Sequence, residues 1–349
     1  MPNRINFDWV KIDKMTNAKD LELGYQMSLE QFQPDVALKH AVLAEKYGFE
    51  SIWASDHFLP WYHTDASCSF AWTWLGAAAQ ATQKIKYGTG LTCPTFRYHP
   101  GLVAQAFATL DYMYPGRVFL SLGTGEALNE MPLGYDWPQH GERLQRLEEA
   151  IEVIRKLWTG ELVSHKGHFY RLRKAKLYTP PKQKIPIFVA ASGPKAAELA
   201  GRVGDGLLTI TNPDDSYFKD LIFPAVDRGL RSSTRDPGSF ERNVELQVSF
   251  DEDYDRAVKS VRPWAGNVMP IFFNLGVYDP RVVEEHGKFV GDEELAKIWV
   301  ISTSSEPIVK AIERYSMLGF TGIHITSSSP SQEKFMKIYE KEIRPNFKK

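Results

Sequence analysis

Cysteine is nearly missing from this chain of 349 residues: Cys68 and Cys93 are the only two. They lack the spacing of metal ligands, and one bridge would be a thin disulfide framework for a chain of this length. A reducing cytoplasm is the expected setting. No run approaches the roughly 18 apolar residues of a membrane span, and residues 1–19 carry scattered charge without the apolar core of a secretory signal. A dominant charge is missing too, since 42 basic and 43 acidic residues leave a formal net charge of −1. That balance gives no reason to expect nucleic acid or an anionic membrane as a partner. What the chain does contain, 43% hydrophobic and 24% charged residues, is the composition of a globular protein and excludes general disorder.

Short β-rich segments alternate with stretches of helical periodicity, the pattern of repeated βα units and a parallel sheet. Strands are expected at 21–27, 51–55, 85–92, 118–123, 185–191, 206–211, 244–250 and 322–326. Between them, residues 36–47 carry Ala37, Val42, Leu43 and Tyr47 near helical spacing, with Gly48 as the stop. Residues 144–158 show Leu147, Ala150, Ile151, Ile154 and Leu157 as one apolar stripe. A helix over 194–201 opens on Pro194, where a missing donor costs nothing. Eight such strands close into a barrel or form an open doubly wound sheet. The open sheet needs a glycine-rich turn after its first strand, and Gly24-Tyr25-Gln26-Met27-Ser28 has none. The expected fold is therefore an α/β (β/α)8 TIM barrel over residues 21–349 as one domain, preceded by an N-terminal extension at 1–20. Residues 160–184, a long excursion, and 264–291, rich in proline and aromatics, read as insertions.

In such barrels chemistry gathers at the C-terminal ends of the strands. The second strand end supplies Asp56, His57 and Trp61. An imidazole titrates near neutrality, at about pH 6.5 when unperturbed, so His57 is the leading acid/base candidate; a histidine bonded to a backbone carbonyl is the alternative. Glu126 follows a Gly123-Thr124-Gly125 turn that lets the backbone approach a planar ligand; it also suits a helix first turn. Ser192-Gly193-Pro194 begins a helix directly after a strand, which suits either a phosphate or an ordinary N-cap. His165 and His168 lack metal-site spacing and a neighbouring carboxylate, so no metal is expected, and a solvated loop accounts for them and for the basic stretch 171–176.

Ser55-Asp56-His57-Phe58-Leu59-Pro60-Trp61, Pro94-Thr95-Phe96-Arg97-Tyr98-His99-Pro100, Ala104-Gln105-Ala106-Phe107-Ala108-Thr109, Tyr114-Pro115-Gly116-Arg117 and Gly123-Thr124-Gly125-Glu126-Ala127-Leu128-Asn129-Glu130 together resemble the coenzyme-F420-dependent dehydrogenases of the luciferase-like superfamily. That group includes glucose-6-phosphate dehydrogenases and a secondary alcohol dehydrogenase. The resemblance implies a bacterial-luciferase-like barrel, usually a homodimer, that binds the deazaflavin coenzyme F420. It casts His57 as the base, Trp61 as a site-lining residue, Glu126 as the acid serving the ring, and Glu30 as a further pocket carboxyl. Asp56, Gly90, Leu91, Thr124, Gly125 and Asn129 match positions around the deazaflavin, with a non-prolyl cis bond expected at Gly90-Leu91. Ala190, Ala191, Ser192 and Gly193 match the phosphate region. Sugar-phosphate members place basic side chains where this chain has Pro213, Asp214, Asp215 and Glu285, and adjacent carboxylates repel a phosphate. The expected substrate is a small alcohol or its carbonyl partner; the alternatives are a sugar phosphate reached by Lys219, Arg281, Lys288 or Lys297, and a deazaflavin-binding protein without turnover.

Overall fold

The structure, a computed structural model, describes residues 21–348; the expected N-terminal extension lies outside them. Eleven strands occur among the described residues: β1 (Glu22–Met27), β2 (Ser51–Ala54), β3 (Lys86–Thr89), β4 (Leu120–Leu122), β5 (Val163–Lys166), β6 (Arg171–Ala175), β7 (Ile187–Ala190), β8 (Gly206–Ile210), β9 (Glu241–Phe250), β10 (Val300–Ser302) and β11 (Gly322–Ser327). Eight of them answer the eight expected strands and pair in parallel in the order β3-β2-β1-β11-β9-β8-β7-β4. Two bridges, Tyr87–Val118 and Thr92–Leu122, close the remaining gap between β3 and β4. A nearly closed eight-stranded barrel results, with helices around it.

The helices follow from local signals. Helix Pro34–Lys46 begins with proline in its first turn, carries Asp35 there and Lys46 at its end, and stops at Gly48 with φ 87°. Its buried stripe is Ala37, Ala41 and Ala44, so Val42 faces outward. Helix His140–Trp158 buries the expected stripe of Leu147, Ala150, Ile151, Ile154 and Leu157.

The barrel interior is filled, not hollow. Trp53, Phe119, Phe188 and Leu208 form an apolar plug, and Leu91 and Ala190 pack against it from the C-terminal side. So much ring volume fits because Gly88 has no side chain: a Cβ there would lie 2.2 Å from the carbonyl oxygen of Phe119. The plug sets a floor under the barrel mouth.

Two segments differ from expectation. Residues 160–184 are no plain loop but contain the antiparallel hairpin β5–β6. Glu149, on helix His140–Trp158, organises it by accepting the backbone N–H groups of His168, Phe169 and Tyr170. His165 is correspondingly not solvated: its side chain is 7% exposed, with Nε2 3.1 Å from Glu149. The basic stretch 171–176 is mostly strand β6. The 264–291 insertion folds into short helices, Pro270–Leu275 and Pro280–Gly287, that build a second apolar cluster. Strand β10 follows it and extends the sheet beside the end of β9, Val300 pairing with Val248.

Candidate active site

The first and second strands end side by side, which brings Glu30 and His57 together although 27 positions separate them. Glu30 Oε1 lies 3.4 Å from His57 Nδ1, and Glu126 Oε2, from the loop after β4, lies 3.6 Å from His57 Nε2. The imidazole thus stands between two carboxyl groups, its own side chain 12% exposed. Glu30 is fixed from behind: Ser55 Oγ donates to its Oε2, and the Leu29 N–H donates to Ser55 Oγ at 2.9 Å. Asn129 fixes the other side by donating to Glu126 Oε2 at 3.2 Å while its Oδ1 accepts the Phe58 N–H at 2.8 Å. Trp61 presents its ring edge-on to His57, centroids 5.7 Å apart.

Burial in the mouth raises the Glu126 carboxyl above the ordinary range; His57 opposes that shift and Glu30 adds to it. Across the lumen sits a second polar group that strand-end inspection missed. Glu245 accepts from Thr326 Oγ1, and Gln247 accepts from Thr211 Oγ1. Burial again raises the Glu245 carboxyl, and both Glu30 and His57 are near enough to act on it. Alternation along the expected strand carried the signal: Glu245 and Gln247 interleave with buried Val244, Leu246 and Val248.

The cradle beside these groups suits a flat ligand. Gly90–Leu91 is a cis peptide bond, with the Gly90 carbonyl accepting from Gln26 Nε2 at 3.0 Å. Gly125 has φ 76°, and a Cβ there would lie 2.5 Å from Cys93 Sγ, so this turn requires glycine. Thr124 and Gly125 remain partly accessible beside Glu126. Leu91 and Ala190 provide the apolar floor. Gly193 and exposed Ser192 precede helix Pro194–Val203, whose first amides have no side-chain cap.

Two expected site residues face elsewhere. The Ala191 side chain belongs to the core between barrel and helices, leaving only its backbone toward the mouth. Asp56 is 2% exposed and its carboxyl group is occupied by protein donors: Thr92 Oγ1 at 2.6 Å, Tyr98 OH at 3.0 Å and Arg97 Nη2 at 3.2 Å. Arg97 also receives Glu130, whose Oε2 accepts the Arg97 backbone N–H at 2.9 Å. This buried Asp56–Arg97–Glu130 group braces the mouth from below the loops.

Beside His57, through Trp61, begins an aromatic and apolar cluster. Trp61, Tyr62 and Leu128 join Trp264, Phe272 and Trp299 in one cluster, and Phe273 lies 5.0 Å from the Trp61 ring. Fold and mouth together define a β/α barrel of the luciferase-like type. The chain belongs to the luciferase-like monooxygenase family, whose model matches residues 16–322. It is 41% identical to an F420-dependent glucose-6-phosphate dehydrogenase of Microbacterium testaceum (strain StLB037) over 94% of this chain and 98% of that one. A second such enzyme, from Nakamurella multipartita, is 39% identical over 94% and 97%. Among solved structures, an F420-dependent secondary alcohol dehydrogenase in complex with an F420-acetone adduct superposes with a TM-score of 0.90 at 41% identity, covering 94% of this chain and 99% of that one. A coenzyme F420 dependent tetrahydromethanopterin reductase from Methanopyrus kandleri, at 23% identity and TM-score 0.79 over 94% and 99%, shares the fold.

Proposed function

We propose that this protein is an F420-dependent oxidoreductase that interconverts a small, uncharged secondary alcohol and its ketone. The observation that carries the substrate class is the apolar aromatic cluster that reaches His57 through Trp61. The basic side chains nearest the expected phosphate positions are already engaged. Arg314 bonds Asp215 and the carbonyls of Asn212 and Pro213. Lys219 pairs with Asp215 at 3.5 Å, and Arg281, Lys288 and Lys297 pair with Asp279, Glu285 and Glu294 at 2.6 Å. Asp215 therefore disfavours a phosphate less by repulsion than by occupying the guanidinium that would hold one.

Gly90, Leu91, Thr124, Gly125 and Ala190 would hold a planar deazaflavin over the apolar floor that Leu91 and Ala190 provide. The open amides at Gly193 suit its phosphate. When bound, coenzyme F420 supplies the hydride acceptor. His57 Nε2 takes the hydroxyl proton of the alcohol as the carbinol hydride departs, so the alcohol loses two electrons and both hydrogens are accounted for. Glu30, fixed by Ser55, orients the imidazole from its Nδ1 side. Glu126, whose carboxyl burial raises above the ordinary range, would hold the proton that the bound ring takes up. Trp61 shields the imidazole, which is 12% exposed, from water.

The direct test is anaerobic absorbance of oxidised F420 with purified protein, offered 2-propanol and, separately, glucose 6-phosphate. Bleaching with 2-propanol alone is expected. Bleaching only with the sugar phosphate would replace the substrate class, a reading that the named relatives at 39–41% identity favour. Binding without bleaching by any alcohol would make the protein a deazaflavin carrier.

A pH profile tests Glu126 separately. Its acid form is the active one, and burial raises its pKa, so alcohol oxidation should persist above the ordinary carboxylate range and decline as pH rises through the raised value. Glu126→Gln keeps a neutral side chain without a transferable proton: the alkaline decline should vanish and the plateau should drop by about 10²-fold. An unchanged alkaline limb in the variant would remove Glu126 from the proton path.

A further inference from the structure

One wall of the barrel mouth carries polar side chains that the hydride and proton steps leave unused. Thr211 Oγ1 donates to Gln247 Oε1 at 2.5 Å, Gln247 bonds the Glu245 carboxyl, and Thr326 Oγ1 donates to Glu245 Oε1 at 2.5 Å. The four residues come from three neighbouring strand ends, with Thr326 paired to Gln247 across β11 and β9. This chain fixes the carboxyl without exhausting it, since a carboxyl group offers about four hydrogen-bonding positions. Glu245 and Gln247 stay partly accessible, whereas Val244, Leu246 and Val248 between them turn outward into the core under the helices. Ile210, paired with Glu245 across β8 and β9 and so on the same face, is 53% exposed, which makes this sector of the mouth open. Glu245 also lies within electrostatic reach of both Glu30 and His57, where the carbinol hydroxyl is placed.

An alkyl chain is a poor occupant for that wall. Laid against it, a monohydric alcohol strips water from a carboxyl and an amide and returns no hydrogen bond, the costly way to bury a polar group. A second hydroxyl on the substrate restores the bond. We infer that Glu245 is a specificity-determining residue that hydrogen-bonds a second hydroxyl group of the substrate, so that the preferred alcohol is a small diol. The inference rests on the F420-dependent alcohol reading above and narrows it. The carbinol at His57 gives up its hydride and its hydroxyl proton, a loss of two electrons. The hydroxyl held at Glu245 keeps its hydrogen, so the product is a hydroxyketone. Gln247 and Thr326 act as positioning residues that hold the carboxyl in place, and the aromatic cluster beginning at Trp61 takes the apolar part of the substrate.

The test compares F420 reduction by 2-butanol, 2,3-butanediol and 1,3-butanediol in wild type, Glu245→Leu and Glu245→Gln. Wild type should use at least one diol about tenfold better than 2-butanol in kcat/KM, with the difference mainly in KM. Glu245→Leu makes the wall apolar, so the diol advantage should vanish as KM rises for the diol and falls for 2-butanol. Glu245→Gln keeps a hydrogen-bonding side chain and should retain the advantage to within about threefold. A brace without substrate contact would instead slow diol and 2-butanol by the same factor in Glu245→Leu, which would overturn the inference. If circular dichroism shows that Glu245→Leu does not fold, Glu245→Ala takes its place with the same expectation. Wild type that treats the three alcohols alike, or a diol preference that survives loss of the carboxyl, would overturn the inference and leave the alcohol reading standing. Bleaching by none of the three would overturn both.

Discussion

Replacing His57 by alanine should lower the rate of alcohol-driven F420 reduction by about 10²–10⁴ while leaving F420 affinity nearly unchanged. The size follows from what is lost, a positioned base, and from what is kept. The floor of Leu91 and Ala190, the Gly125 turn and the helix start at Gly193 are all independent of the imidazole. Glu30 and Glu126 would remain at the mouth, neither placed to substitute: Glu30 is 2% exposed and bound by Ser55, and Glu126 is assigned to the ring in the proposed reaction. Stopped-flow bleaching of F420 with saturating alcohol reads the rate, and a fluorescence titration reads the affinity. A variant that turns over at the wild-type rate would remove His57 from the chemistry; one that loses affinity in proportion to rate would make it a binding residue instead.

Arg97→Leu should cost about 3–5 kcal/mol of folding stability, because it leaves buried carboxyl groups without their cation. Asp56 and Glu130 are fully buried side chains, and the Arg97 guanidinium is 5% exposed between them, 3.2 Å and 3.7 Å from their oxygens. Asp56 would keep Thr92 and Tyr98 as donors, so most of the loss should arise at Glu130. Burial already raises the Glu130 carboxyl, with Arg97 as the opposing influence. Without Arg97 its folded-state pKa rises further above the unfolded value. A raised carboxyl favours folding at low pH and disfavours it as pH rises, so the deficit should be largest in neutral to alkaline solution and shrink on acidification. Urea unfolding of both proteins at pH 5 and pH 8 measures it. A deficit under about 1 kcal/mol at pH 8, or one that grows at pH 5, would contradict the account.

The barrel was legible because its signals are local. Each strand and helix carries its own period and stop: the run from Leu147 to Leu157 specifies its buried face within three turns, and Gly48 ends a helix whatever packs on it. Reading strand ends singled out His57 and Glu126, and the family resemblance added Glu30; the barrel places the three at one mouth. The hairpin β5–β6 escaped because its residues are largely basic and its organiser, Glu149, lies on a helix that precedes it. Tertiary structure alone turned Asp56 away from the mouth to meet Arg97, turned Ala191 toward the helices, and set Glu245 across from His57. Those outcomes depend on which distant side chains share a dry space, and charge pairing in low dielectric is a property of that space rather than of any segment. The sequence by itself therefore determined a (β/α)8 barrel and the residue types at its mouth. Only the fold decided which of them face the lumen, which are consumed as braces, and that an aromatic cluster reaches the imidazole through Trp61.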